Sequence, residues 1–250
     1  MGRITETVKV LIVINILFYI GSIVIGETAY NLFALHFPLN GNFHFWQIIT
    51  HMFMHDPSSI FHILFNMFML YMFGSHMEHY LGQKKFLFIY FSAGLGATGL
   101  QLLFTYLQFY PGYNAFLELG YSQQEIIDLL SSGKYNTRVL DIVPLEAIEN
   151  TYQSFFSVSV GASGAIFGIL AAFVVLFPNL PLMIMFVPIP IKAKYLIGGY
   201  FLLNVFSAIT GYSIIGPANT AYWAHIGGAI IGFIVMWYWK KNSFDNHRWN

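Results

Sequence analysis

The sequence predicts an all-α fold: a polytopic membrane protein of six transmembrane helices. These form a single domain over residues 1–250, with an extramembrane insertion at about 108–157. Three observations predict it. First, 11 Lys and Arg and 11 Asp and Glu make the 250-residue chain only 9% charged, where soluble domains average about 25%. Second, 57% of residues are hydrophobic, 19% are aromatic, and the mean hydropathy is +0.62. Third, the charges stand in short clusters that leave long uncharged runs between them. A disordered chain needs high charge and low hydrophobicity, so that class is excluded. A nucleic-acid partner needs a basic surplus, and the net charge is zero.

The uncharged runs give the elements in order. They cover 10–26, 28–55, 57–77, 86–117, 150–191 and 195–239. A spanning helix needs roughly 20 mostly apolar residues, and a charge at the bilayer centre costs about 2.5–3.5 kcal/mol. The expected spans are about 8–25, 58–76, 86–107, 160–178, 194–211 and 221–239. Span 1 has too long an apolar core for a signal peptide and reads as retained. Residues 28–55 hold four histidines, Pro38 and Asn40-Gly41-Asn42, and read as an interfacial loop anchored by Trp46 and several Phe. The stretch PNLPLMIMFVPIP (178–190) is interrupted by prolines, and GYSIIGPANT (211–220) is rich in turn formers. In the insertion, Ser122 and Glu125 fit a capping box and Gly133 a stop, which predicts a short helix over 123–132.

Basic residues set the orientation. Arg3 and Lys9, Lys84 and Lys85, Lys192 and Lys194, and Lys240, Lys241 and Arg248 all fall on one side of a six-span model. The positive-inside rule makes that side cytoplasmic, with both termini there. Six acids of the 108–157 loop lie opposite. The expected residence is a bacterial inner or cell membrane, with lipid around the bundle. Cysteine is absent, so thiol chemistry is excluded.

Polar groups inside spans are expensive, which makes each a candidate for function. Asn15 and Asn204 stand alone at mid-span and read as interhelical hydrogen bonds. His62, Asn66, Ser163 and His225 form a pattern. Spans 2, 4 and 6 run inward, and His62, Ser163 and His225 lie three or four residues into them, roughly 5–6 Å below the outer surface. Asn66 lies one turn deeper on the His62 face. Ser163 sits in GASGAIFG (161–168) and His225 in AHIGGAIIG (224–232). Small residues at i, i+4 let transmembrane helices touch, so Gly164 with Gly168 and Gly228 with Gly232 draw spans 4 and 6 together, Ser163 facing His225. A serine beside a histidine is an activated nucleophile. His62, the Asn66 amide and the Ser163 N–H are suitable donors to an oxyanion. With no acid in the spans, a dyad is expected rather than a triad, with Phe167 packed against the imidazole.

At these residues the chain resembles the rhomboid intramembrane serine proteases. The matching motifs are HILFNMF (62–68), GASGAIFG (161–168) and AHIGGAIIG (224–232), flanked by MEHYLGQKKFLFIYFSAG (77–94) and PIPIKAKYL (188–196). The resemblance implies a Ser163–His225 dyad, an oxyanion pocket from His62 and Asn66, and Gly161 beside the nucleophile. It implies substrates that are themselves membrane proteins, cut near the outer end of a transmembrane helix, with neither cofactor nor metal. Two departures stand out: Gln47 follows Trp46 where the family usually has Arg, and Phe167 stands where Tyr is frequent. The first puts the loop's internal hydrogen bonding in doubt; the second keeps the stacking and loses a hydroxyl. A silent helix binder on the same scaffold is the first rival, and the intact Ser, His and Asn argue against it. A transporter or channel is the second; it would need ionisable groups near mid-membrane or broken repeat helices.

Overall fold

The uncharged runs at 10–26, 57–77 and 86–117 fold almost wholly as helix, whereas 28–55 and 150–191 also hold loops and short strands. The computed structural model describes residues 3–184, 187–214, 216 and 220–245. Helix α1 covers Glu6–Ile25 and a short α2 covers Glu27–Phe33. Strand β1 (Leu35–His36) and the short helix α3 (Gln47–Thr50) belong to the loop that follows. Helix α4 (Ile60–Met69) continues through a π turn at Leu70–Gly74 into α5 (Ser75–Leu81). Helix α6 covers Gln83–Glu118; the insertion adds α7 (Gln123–Ser132) and α8 (Leu145–Phe155). Strand β2 (Val158–Ser159) leads to α9 (Ser163–Leu176). Strands β3 (Pro181–Ile184) and β4 (Val187–Lys192) precede α10 (Ala193–Thr210) and α11 (Tyr222–Asp245). The chain is thus mostly helical. Among the described residues, Glu6–Ile25, Ile60–Leu81 and Gln83–Glu118 are long and apolar enough to cross a membrane. Large hydrophobic side chains on α1, among them Val10, Leu17, Ile20 and Val24, face outward, as a lipid-facing helix requires.

Several boundaries differ from expectation, each for a local reason. The second helix runs five residues past 76, to Leu81, where Gly82 with φ +78° ends it. Its C-terminal end carries Glu78, whose carboxylate accepts from the Thr5 hydroxyl and from the Thr7 and Val8 amides at 3.2 and 3.1 Å. It thereby satisfies the free N–H groups at the start of α1 and complements its dipole. The third helix does not stop near 107 but continues to Glu118 with Pro111 inside it. The insertion therefore begins as a helical extension. The fourth helix starts at Ser163, not 160, because Gly161 holds φ +126°, a backbone state outside the helical region. The proline-broken stretch forms an antiparallel hairpin, Pro181 opposite Lys192 and Leu182 opposite Ile191. The turn formers at 211–220 lie partly outside the described residues, as does Arg248.

Two apolar clusters organise the chain. The larger joins α1, the α4–α5 rod, α6 and α9, with Leu70, Phe86, Tyr90, Ile169 and Phe173 at its centre. The smaller lies in the cap formed by the insertion, where Phe109 and Phe116 of α6 meet Ile126, Leu130, Val139, Ile148 and Phe155. Phe37 from the first loop joins this second cluster. Helix α7 has both halves of its capping box and ends on left-handed Gly133. The cap is tied to the first loop by β1–β2 pairing, Leu35 opposite Ser159 and His36 opposite Val158. The Asn40 amide adds a bond to the Phe155 carbonyl at 2.9 Å. The segment that delivers Ser163 is thus tied to the first loop at two places.

Candidate active site

Glycine and alanine decide how closely three helices approach. A Cβ on Gly228 would lie 1.9 Å from the Gly164 carbonyl oxygen, and one on Gly232 2.1 Å from that of Gly168. Helices α9 and α11 therefore touch backbone to backbone, as the two glycine pairs predict. Helix α6 completes the seam. A Cβ on Gly164 would meet Ala97 at 2.4 Å, one on Gly168 would meet Ala93 at 2.1 Å, and one on Gly227 would meet the Gly96 oxygen at 2.5 Å. The contribution of α6 was not foreseen, although its Ala93-Gly94-x-Gly96-Ala97 run carries the small-residue signal.

The seam sets Ser163 against His225. Ser163 Oγ lies 2.9 Å from His225 Nε2, joining residues 62 apart in the chain. The imidazole is buried, and the Phe167 ring stacks on it at 4.2 Å between centroids with 11° between planes. Ser163 is the first residue of α9, and the first intrahelical bond is Ile166 N–H to the Ala162 carbonyl. The N–H groups of Ser163, Gly164 and Ala165 thus lie at a helix start with no partner one turn back, where the dipole favours negative charge.

His62 comes to the same place from α4. A Cβ on Gly161 would sit 3.2 Å from His62 Nε2 and 3.7 Å from Ser163 Oγ. The bare backbone of Gly161 is what lets the His62 ring lie beside the serine. Asn66 is buried one turn below, and its amide donates to the His62 carbonyl at 2.9 Å. Part of its donor capacity is thus spent on orienting itself.

Asn204 belongs beside these residues, and the sequence did not place it there. It does make an interhelical hydrogen bond, but the partner is His225: Asn204 Oδ1 lies 2.7 Å from His225 Nδ1. The signal was available, because counting inward from the outer end of span 5 puts Asn204 about 10 Å deep, near Asn66. The Asn15 amide donates to the Leu11 carbonyl in its own helix at 2.7 Å, and its side chain also faces the Tyr90 hydroxyl of α6.

The first loop supports the nucleophile through a chain of bonds. Gln47 is fully buried. Its carbonyl oxygen accepts from the His36 and His44 amides at 3.3 and 3.1 Å, and its NH2 donates to the Asn31 and Asn42 carbonyls at 2.9 and 2.8 Å. A neutral amide thus organises the loop, which removes the doubt raised by the absent arginine. The Gln47 backbone carbonyl accepts from His51 Nδ1 at 2.7 Å, and His51 Nε2 lies 3.3 Å from the Thr98 oxygen, whose hydroxyl donates to the Gly94 carbonyl at 2.9 Å. The His51 carbonyl in turn accepts from the Gly161 N–H at 3.0 Å. Burial lowers the His51 pKa to about 4 and that of His55 to about 3, so both rings are neutral near pH 7. His55 lies edge-on to His62, with centroids 5.1 Å apart.

Among the described residues, no group of three or more His, Cys, Asp or Glu could hold a metal ion. The geometry supplies a nucleophile, a base and a cluster of donors, which is what acyl transfer needs.

The chain matches a family model described as Rhomboid domain over residues 42–124 and 134–242. It is also 34% identical over 87 residues to "Rhomboid protein 1, mitochondrial" of Saccharomyces cerevisiae. That match covers 33% of this chain and 22% of the relative.

Proposed function

We propose, since the chain belongs to the rhomboid family, that it is an intramembrane serine endopeptidase cutting other membrane proteins near the outer end of a transmembrane helix. The observation that carries this reading is the 2.9 Å contact of Ser163 Oγ with His225 Nε2, under a stacked Phe167. In the proposed reaction Oγ attacks the scissile carbonyl carbon while Nε2 takes its proton. The tetrahedral oxyanion is held by the Ser163 N–H, His62 and Asn66 at the positive end of α9. His225 then gives the proton to the leaving amine, and water attacks the acyl-enzyme by the same route in reverse.

The multi-pass membrane protein is proposed to form one domain that crosses six times, by α1, the α4–α5 rod, α6, α9, α10 and α11, with the insertion outside. The basic clusters at the inner turns support cytoplasmic termini and a site open to the outer face. The shortness of α9 supports a sunken site: 14 residues rise about 21 Å, less than the roughly 30 Å hydrocarbon core. Substrate, lipid and water are the partners this reading requires; nucleic acid, metal and cofactor are not. The bacterial inner membrane remains the proposed residence, although the similar yeast protein is named as mitochondrial.

The test is cleavage of a helical membrane substrate in proteoliposomes by wild type, Ser163→Ala and His225→Ala proteins. A loss of kcat on the order of 10^4-fold or more is expected for each, with unchanged melting of the bundle. Fluorophosphonate labelling of wild type but not of Ser163→Ala accompanies it. Equal cleavage by Ser163→Ala overturns the reading, and a wild-type protein that neither takes the label nor cleaves any membrane substrate favours a silent binder.

A further inference from the structure

We propose that Asn204, on α10, is a positioning residue that fixes the tautomer of His225 and so makes its Nε2 a base. The inference rests on the protease reading for its consequence but not for its geometry. The Asn204 amide is 3% exposed and cannot turn to water. Its Nδ2 donates to the Tyr200 carbonyl at 2.8 Å, one turn back in the same helix. Flipping the amide would set two carbonyl oxygens against each other, so Oδ1 is the atom aimed at His225. A carbonyl oxygen only accepts. At 2.7 Å from Oδ1, His225 Nδ1 must therefore carry the proton. A neutral imidazole has one N–H, so Nε2 is left with its lone pair toward Ser163 Oγ at 2.9 Å. The alternative tautomer would set two acceptors against each other at the asparagine, while the serine hydroxyl, which can donate or accept, would not resist it.

The amide does this without charge. An ionised acid at this place would bury a charge in the membrane, at a cost that a neutral amide, or a protonated carboxyl, avoids. Orientation is therefore what Asn204 contributes, while the stacked Phe167 holds the plane of the ring. Asn204 also sits on a different helix from either partner, so the state of the base depends on where α10 lies.

The test compares Asn204→Leu and Asn204→Asp with wild type in the full chain. Leucine keeps the volume and removes the acceptor; aspartate restores an acceptor. The first measurement is nitrogen-15 NMR of labelled histidine in detergent, with the His225 signal assigned by its loss in His225→Gln. Wild type is expected to show His225 protonated at Nδ1, and Asn204→Leu a mixture of tautomers. This readout needs no turnover, so it succeeds or fails apart from the protease reading. The second measurement is cleavage: Asn204→Leu is expected to lose about tenfold or more in kcat with KM unchanged, and Asn204→Asp to recover most of it. A wild-type His225 protonated at Nε2, or an Asn204→Leu protein with wild-type tautomer and kcat, overturns the proposal. So does equal impairment of both variants with the wild-type tautomer kept, which is the mark of a merely structural residue.

Discussion

Helices α9 and α10 both contribute a residue to the constellation at His225, yet they are held in opposite ways. On α9, Gly164 and Gly168 are pressed by carbonyls and alanines of two neighbours, and Ile169 and Ala172 are 1% and 0% exposed. On α10, a Cβ added to Gly198 or Gly199 would meet nothing within 4 Å, and Leu202 and Ile209 are 66% and 70% exposed. Ser163 and His225, the proposed nucleophile and base, are thus fixed to a seam with no spare volume. Asn204, proposed to orient the base, rides on a helix with room beside it. The lesson is that the contact needing the shortest tolerance, Ser163 to His225, is built where the backbones themselves collide if anything is added.

The largest expected effect comes from breaking that seam. In Gly228→Val the new atoms fall on the Gly164 carbonyl, 1.9 Å from the added Cβ, and neither backbone can move without parting the helices. Overpacking a fitted core costs about 1–3 kcal/mol where neighbours adapt, so a loss of at least about 3 kcal/mol is expected here. Thermal unfolding in detergent measures it, and fluorophosphonate labelling of Ser163 should fall with it. A stable, fully labelled Gly228→Val protein would show that the seam is softer than its distances imply.

An intermediate effect belongs to the loop behind Ser163. Gln47→Leu leaves two amides and two carbonyls without their partner, and each buried orphan costs about 1–3 kcal/mol before water replaces it. A net loss of about 2 kcal/mol is expected by thermal melting, smaller than for Gly228→Val. The same loop sets a pH dependence. His51 and His55 have pKa values near 4 and 3 when folded, below the unfolded value of about 6.5. Between those limits the unfolded chain binds more protons, so stability should fall as pH drops from about 6.5 toward 4. The slope of melting temperature against pH measures this, and His51→Gln should make it shallower.

How much of this was legible in the sequence follows from what a helix period can and cannot carry. The pairing of Ser163 with His225 could be read because depth depends only on residue count from a span end, and because glycine pairs announce close contact. The rotation of α10 about its own axis could not, since its apolar residues run all the way round, so Asn204 looked solitary. The start of α9 was misplaced by three residues because a positive φ at Gly161 is a property of its surroundings, namely the His62 ring against it. The hairpin at 181–192 was hidden by prolines, which argue against a central strand but are tolerated at an edge.

The smallest expected effect sharpens the other side of the contrast. Glycine inside a helix costs roughly 0.5–1 kcal/mol relative to alanine, because the unfolded chain loses more freedom. Where the added methyl is crushed, as at Gly168 against Ala93 at 2.1 Å, that gain is overwhelmed and alanine should destabilise. At Gly198 and Gly199 the space is open and neither has a positive φ, so Gly198→Ala should raise stability by about 0.5 kcal/mol. The melting temperature would rise by a degree or two, with labelling of Ser163 unchanged. The sign is the informative part. A gain at Gly198 beside a loss at Gly168 separates a helix that only neighbours the site from one that is locked into it. A loss at both would mean that α10 is also seated against a partner, and that the position of Asn204 is as rigid as that of Ser163.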